Sequence, residues 1–402
     1  MKRYGIQENE KPKVLIVHNY YQIPGGEDIV VTNEKRMLEK FGHEVILYTR
    51  DNSELKNFTK LQKIKLPFTT VFNKKTYDEV KKIIQDQHVE IVHVHNTLSL
   101  VSPSVYYAAI SCKVPVVQTV HNFRLLCVGA AFYRDGHICE LCVRKGIYCA
   151  VKYNCYRKSK FQTLGCVINT IFHRYVGIYK KINYICLTDF NKEKLLLLSQ
   201  IIPQNVFVKP NFVEKSETFI PSEKRKNRFI FVGRIDKLKG VDILLYAWKL
   251  MKNISPELVI CGTGPLEEWC KKYVEDNELS SVRIEGFVPN EKVKKLIAGS
   301  KALIFPSQWY EGFPMSIVEA FSVGTPVIAS DLGNMGSLVI EGVNGHKFKS
   351  DSPENLMETV SSFTMNHDIY RSTMIEYEEH YTELKNYKYM LDIYMKIREN
   401  CC

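Results

Sequence analysis

RFIFVGRIDKLKGVDILLYAWKL, residues 228–250, opens with an aromatic and β-branched run, breaks at Gly233, crosses a cationic loop and resumes at Val241 with apolar residues at helical spacing. A buried strand that turns at a glycine into a helix is half of a βαβ unit, and residues just past the strand fall at its carboxyl end, where open α/β sheets bind ligands. The same order recurs along the chain. After this stretch come ELVICG, SVRIEGF, KALIFPS and TPVIAS; before it come KVLIVH, a helical stretch from about Glu27 to Phe41, EVILYT, EIVHVH, VPVVQTVH and NYICLT. Such alternation predicts parallel sheets covered by helices on both faces, so the expected class is α/β: two doubly wound, Rossmann-like domains facing a central cleft.

The chain has 402 residues, 45% of them hydrophobic, which is too long for one ordinary core. The alternation pauses at NFVEKSETFIPSEKRKN, residues 211–227, which is polar and charged. The sequence is therefore divided into an amino-terminal domain over 1–210, a linker over 211–227, a second domain over 228–380 and a closing helix over 381–402. Lys and Arg outnumber Asp and Glu by 55 to 44, a balance that favours phosphate-bearing ligands or an anionic membrane surface. No basic stripe interleaved with aromatics accompanies it, so no nucleic acid is expected. The first residues hold only a four-residue apolar run, Val14 to Val17, unlike a secretion signal, and no apolar segment is long enough to span a bilayer. The expected location is the cytoplasm, at most at the inner face of its membrane.

Chemistry-bearing residues gather at the strand ends of the second domain: Gly233 and Arg234, then Gly262-Thr263-Gly264, then Phe287 and Val288, then Ser307 to Glu311. A lone G-x-G is weak evidence for a nucleotide site; four strand ends on one rim are stronger. YEGFPMSIVEA, residues 310–320, puts Glu311 in a loop, Pro314 at the first position of a helix and Glu319 on its second turn, about 7 to 8 Å farther along the axis. Between the acids lies a helix amino terminus with free N–H groups suited to phosphate. A nucleotide-sugar has that layout, so Glu311 is assigned to the transferred sugar and Glu319 to the ribose, with Gly312, Phe313, Pro314 and Met315 between them. Two acids would repel a diphosphate without cations, and Arg234 and Lys239 supply them. No D-x-D pair occurs in the chain, so no catalytic metal is expected.

GRIDKLKG, CGTGP, GFVPNEKV and EGFPMSIVEA, in that order and spacing, resemble the retaining family-four glycosyltransferases of the GT-B fold, whose E-x7-E signature matches Glu311 and Glu319. The resemblance implies a nucleoside-diphosphate-sugar donor (UDP- or GDP-sugar), retention at the anomeric carbon, metal independence, and Arg234 and Lys239 on the donor diphosphate. One departure is Ser337, where many relatives place an acid. The first domain offers Gly25-Gly26 after its first strand, a turn that lets backbone approach the donor closely. It also offers His95-Asn96 and His121-Asn122 at strand ends. The resemblance places His121 near the donor sugar and the reacting centre; His95 and Asn96 are assigned to the acceptor side.

Two segments of the first domain are unlike ordinary Rossmann sequence. Within an insert over about 123–158, Cys127, Cys139, Cys142 and Cys155 have the spacing C-x11-C-x2-C-x12-C. That pattern suits a structural zinc clasp or reduced, unligated thiols, with Cys149 and His137 as substitute ligands. Residues 157–182 follow, apolar in the middle with basic ends. They suit either a helix lying on an anionic membrane surface or a buried core helix. The expected function is transfer of a sugar to a glycan or lipid-linked acceptor, in capsular, exopolysaccharide or lipopolysaccharide synthesis. The alternatives are a nucleotide-sugar epimerase of the same fold, against which the paired motifs argue, and a non-catalytic basic scaffold.

Overall fold

The computed structural model describes residues 11–22, 25–218, 220–251, 255–364 and 367–400. The chain divides into two compact units, the first made of 1–130, 140–209 and 386–402, the second of 131–139 and 210–385.

In the first unit the strands are β1 (Val14–Tyr20), β2 (Val45–Asp51), β3 (Ile91–Val94), β4 (Val116–Val120), β7 (Asn183–Cys186) and β8 (Val206–Val208). The intervening β5 (Tyr133–Arg134) and β6 (His137–Ile138) form a small antiparallel hairpin in the second unit. The six-stranded sheet runs β2-β1-β3-β4-β7-β8, parallel throughout. Its helices are α1 (Gly26–Lys40), α2 (Lys60–Val71), α3 (Lys74–Asp86), α4 (Ser104–Ser111), α5 (Leu141–Arg144), α6 (Cys149–Lys152), α7 (Lys160–Val176) and α8 (Asp189–Leu196).

The second sheet, also parallel, is built from β9 (Arg228–Val232), β10 (Glu257–Cys261), β11 (Val282–Gly286), β12 (Ala302–Phe305), β13 (Val327–Ser330) and β14 (Gly345–Phe348), in the order β11-β10-β9-β12-β13-β14. Its helices are α9 (Val241–Met251), α10 (Glu267–Asp276), α11 (Asn290–Ala298), α12 (Met315–Phe321), α13 (Gly333–Leu338), α14 (Pro353–Ser362) and α15 (His367–His380). The last helix, α16 (Glu383–Glu399), belongs from Asn386 onward to the first unit. β9 shows why the sheet must be covered twice. Phe229 and Phe231 join a core containing Trp248 and Leu258, while Ile230 joins a separate core containing Val259 and Leu303, as the two-residue period of a strand requires.

Strand β8 has three residues and β14 reads GHKF, so neither carries the apolar run that announces the other strands. The stretch 211–227, read as a linker, is packed into the second unit. Phe212 and Val213 are buried, and Arg225 spends its guanidinium on Ile220 O at 3.0 Å and Val323 O at 2.8 Å and stacks on Tyr370. Most charged residues of the stretch are exposed, as its composition suggests, but Arg225 is buried, which its sequence context does not announce. Of the sequence assignments, residues 1–10, residue 219 inside the linker and the last two residues of the closing helix lie outside the described residues.

Helix α7 settles how residues 157–182 are arranged. Its inward face carries Thr163, Val167, Thr170 and His173, and its outward face carries Phe161, Leu164, Ile168, Ile171 and Phe172. The reading of a buried core helix does not hold, because the apolar side chains face out. Among the described residues no helix is long and apolar enough to cross a membrane.

Candidate functional site

Both sheets change winding direction at their first strand, which leaves a crevice beyond the carboxyl ends of the two strands concerned. In the second unit those strands are β9 and β12, so the loops meeting there are 233–240 and 306–314. They bring together Arg234, Lys239 and Glu311. Glu311 is buried, and its Oε1 accepts hydrogen bonds from Lys239 Nζ at 2.8 Å, Ser307 Oγ at 2.5 Å and Trp309 Nε1 at 2.8 Å. Arg234 donates from Nε to Asp236 Oδ2 at 2.5 Å, and the Lys239 amide donates to Asp236 Oδ1 at 2.9 Å. The Arg234 side chain remains about two-thirds exposed, so it is the cation presented to solvent, while Lys239 is committed to Glu311.

Sequence reading missed Asp236 and Asn334, and gave Ser307 and Trp309 no role within the loop it singled out. Asn334, fully buried, donates to the carbonyls of Glu311 and Gly312 and so fixes the loop that carries the acid. The signal for Asp236 was present: it is the one acid inside GRIDKLKG. Pro314 is the residue before α12, one position earlier than expected, and α12 has only seven residues. The cations therefore carry more of the positive potential than the helix end does. Glu319 lies on the second turn of α12, where burial pushes its carboxyl above the usual range against a partial offset from Lys294.

The glycines of Gly262-Thr263-Gly264 are demanded by the backbone. A Cβ on Gly262, whose φ is +141°, would lie 1.9 Å from Gly233 O, and one on Gly264 would lie 2.3 Å from Ile235 O. The Gly233 amide donates to Cys261 O at 3.0 Å and the Ile235 amide to Thr263 O at 3.0 Å, so these two strand-end loops are laced together. Phe287 is 79% exposed, whereas Val288 is packed into the core and offers a ligand only its backbone. Phe313 and Met315 pack against that same core. Ser337 lies inside α13 and donates to Gly333 O at 3.4 Å, so a regular helix occupies the departure from the family pattern.

In the first unit the crevice lies beyond β1 and β3. Gly25 and Gly26 have open space where a Cβ would stand, so the protein's own packing does not explain either glycine. Asp28 closes the turn by accepting from the Gly25 amide at 2.9 Å, and its other oxygen pairs with His18 Nε2 at 2.7 Å. Beside it the half-buried Glu27 accepts from Tyr21 OH at 3.0 Å, and desolvation pushes its carboxyl up to about 8.

His95 Nδ1 lies 2.9 Å from His121 Nε2, and His95 Nε2 faces Glu34 Oε2 at 3.4 Å. Asn96 donates to Asn19 O at 2.8 Å and accepts from the Leu98 amide at 3.0 Å. Both residues are buried, and Asn96 is held by neighbouring backbone groups. With His121 they line a cavity of about 70 Å³.

Behind the histidines is a charge pair that sequence reading missed. Glu34 Oε1 accepts from Lys209 Nζ at 2.7 Å, and both side chains are fully buried. Among the described residues, Glu34, His93 and His95 form the one group of potential metal ligands close enough to share an ion. Lys209 already neutralises Glu34, and both ring nitrogens of His93 are hydrogen-bonded, to Tyr394 at 2.8 Å and Thr119 at 2.7 Å. The group is a buried polar network.

Burial lowers the basicity of His18, His93, His95 and His121, with His93 at about 4. Unfolded imidazoles take up protons below pH 6.5, but these folded ones resist until lower pH, so stability is fully present above 6.5 and declines as pH falls toward 4. Urea-unfolding free energy should drop across that window with a slope steeper than the about 1.4 kcal/mol per pH unit of a single group. A flat profile from pH 7 to 5 would contradict the histidine arrangement.

Of the cysteines read as a zinc clasp, Cys127 is buried and Cys139, Cys142 and Cys155 are half-buried. Cys142 and Cys155 pack against the same cluster of Val128, Ile147, Ala150 and Val167, and burial, with the nearby Cys127, Cys155 and Cys149 thiols, pushes the Cys142 thiol up to about 12.

Residues 213–381 match the family model described as glycosyl transferases group 1, and residues 24–144 match that of glycosyltransferase family 4. Both halves of the chain thus match glycosyltransferase family models. The chain is 25% identical over 373 residues to the uncharacterized glycosyltransferase MJ1178 of Methanocaldococcus jannaschii, spanning 90% of this chain and 91% of the relative. It is 29% identical over 126 residues to the amylovoran biosynthesis glycosyltransferase AmsK of Erwinia amylovora, spanning 29% and 31%. Its fold is that of the GT-B glycosyltransferases: Anabaena Alr3699/HepE, solved in complex with UDP, superposes with a TM-score of 0.64 at 15% identity over 96% of this chain and 99% of the other.

Proposed function

We propose that this protein is a glycosyltransferase that moves one sugar from a nucleoside-diphosphate-sugar to a glycan or lipid-linked acceptor, retaining the anomeric configuration and using no catalytic metal. The pathway proposed is synthesis of a capsule, an exopolysaccharide or a lipopolysaccharide, at the cytoplasmic face of the membrane. The observation that carries the donor half is the meeting of Arg234, Lys239 and Glu311 at the switch point of the second sheet. HepE, with UDP bound, and AmsK, named for amylovoran biosynthesis, support the nucleotide and the pathway.

In this reading Arg234 meets the diphosphate, and the Lys239 ammonium lies between it and Glu311, screening the acid from the phosphates. Glu311 accepts a hydroxyl of the transferred sugar and Glu319 the ribose. His121 meets the donor sugar at the reacting centre. The acceptor oxygen attacks from the face the diphosphate leaves, and the departing phosphate oxygen takes the acceptor's proton. Catalysis then rests on positioning and on charge neutralisation.

A thermal-shift panel of nucleoside diphosphates and nucleotide-sugars, run with EDTA, tests the donor site. One nucleotide should stabilise the protein, and Arg234→Ala should remove most of that shift. A shift that disappears with EDTA would refute metal independence, and no shift from any nucleotide would refute the donor site.

A further inference from the structure

Two stretches of the chain contain no acid: residues 55–77 carry six lysines, and residues 141–188 carry nine lysines and arginines. These fifteen account for the whole positive balance, because the remaining 40 cations face 44 acids. Helices α2 and α7, drawn from these stretches, pack on one another and point large apolar side chains outward. Ile64 is 68% exposed, Phe68 76%, Phe161 72% and Tyr175 89%. Apolar residues ringed by cations and free of acids match an anionic bilayer surface.

Between α2 and α7 opens a cavity of about 390 Å³. Leu66, Pro67 and Phe161 give it apolar wall, and Lys56, Lys63 and Arg157 give it charge. It shares Leu98 and Cys166 with the cavity that holds His95 and His121. The Tyr156 ring, on the same wall, has the guanidinium of Arg157 at 5.5 Å and that of Arg124 at 5.4 Å, and Arg124 lines the histidine cavity. Cations thus continue from one cavity to the next. We infer that the cavity between α2 and α7 is the acceptor's lipid-phosphate site, taking an amphiphile with a long apolar chain and one or two phosphates. The chain leaves over the exposed apolar faces, the phosphates meet Lys56, Lys63 and Arg157, and the end to be glycosylated points toward His121. The inference rests on the transferase reading above.

Gly165 supplies a selective block. It lies on α7, lines this cavity and has open space where its Cβ would stand, so Gly165→Trp obstructs the cavity without replacing a cation or an outward apolar side chain. The protein, saturated with whichever of UDP and GDP stabilises it so that the donor site is occupied, is tested by calorimetry against farnesyl diphosphate, inorganic diphosphate and farnesol. Farnesyl diphosphate should bind at least about tenfold tighter than inorganic diphosphate, because only it buries an apolar chain. Gly165→Trp should weaken it about tenfold or more while flotation with anionic vesicles and the thermal shift from that nucleotide stay unchanged. The triple variant Lys56→Ala, Lys63→Ala, Arg157→Ala should remove the preference for farnesyl diphosphate over farnesol. Equal affinity for farnesyl and inorganic diphosphate, or unchanged farnesyl diphosphate binding in Gly165→Trp, would overturn the inference. Absence of any nucleotide shift in the wild type, with UDP and with GDP alike, would instead count against the donor reading.

Discussion

Lys209→Met is expected to destabilise the first domain by about 3–5 kcal/mol, the cost of stranding a buried carboxylate whose cationic partner has been removed. Glu34 and Lys209 are fully buried, and Glu34 Oε2 has no hydrogen-bond partner to compensate. Lys209 Nζ also reaches Asn386 Oδ1 at 3.1 Å, so losing it loosens the last helix as well. The double variant Glu34→Met, Lys209→Met should recover most of the loss, because two apolar side chains of similar length fill the space without a charge. Urea midpoints of the three variants decide the matter. A Lys209→Met midpoint equal to wild type, or a double variant worse than either single one, would show that the pair is not a coupled buried charge.

Glu311→Gln is the second large effect expected. The carboxylate collects three donors on one oxygen, and glutamine keeps the shape while losing the charge that holds Lys239. Transfer should fall by about 10²–10³ in kcat/KM, the range seen when one preorganised polar contact at a reacting centre is lost. Binding of the free nucleoside diphosphate should hold or tighten, since Lys239 is released toward the phosphates. Weakening confined to the nucleotide-sugar would place Glu311 on the sugar; equal weakening of both ligands would remove that assignment and leave the residue a loop-former.

The parts of this fold that announce themselves are those whose physics is local. A strand buried on both faces must be apolar throughout, and a glycine must stand where a Cβ would enter a neighbouring carbonyl, so RFIFVG and CGTG could be read directly. Glu311 could be read as well, because its loop interrupts the chain with Gly-Phe-Pro. The Glu34–Lys209 pair could not. Its members are 175 positions apart, and each looks in sequence like one more surface charge. Arg225 misled for the same reason, its partners being carbonyls and a tyrosine ring that carry no sign of their role. His95 and Asn96 occupy strand ends, as functional residues do, yet position in the topology alone does not tell a group that faces a ligand from one that holds its neighbour. α7 was ambiguous because an apolar helix with basic ends has one composition whichever way its apolar side chains point; only the inward threonines show that they point out.

The last helix has a consequence for how the protein is made. His43 is bonded to Tyr387, His93 to Tyr394, and Glu90 to Arg398, contacts that span 301 to 344 positions and all lie within the first unit. A ribosome synthesises the whole of 210–385 before any of these partners exists. The first domain, although begun earliest, is therefore completed last, and until release its nascent sheet holds imidazoles that still await their tyrosines.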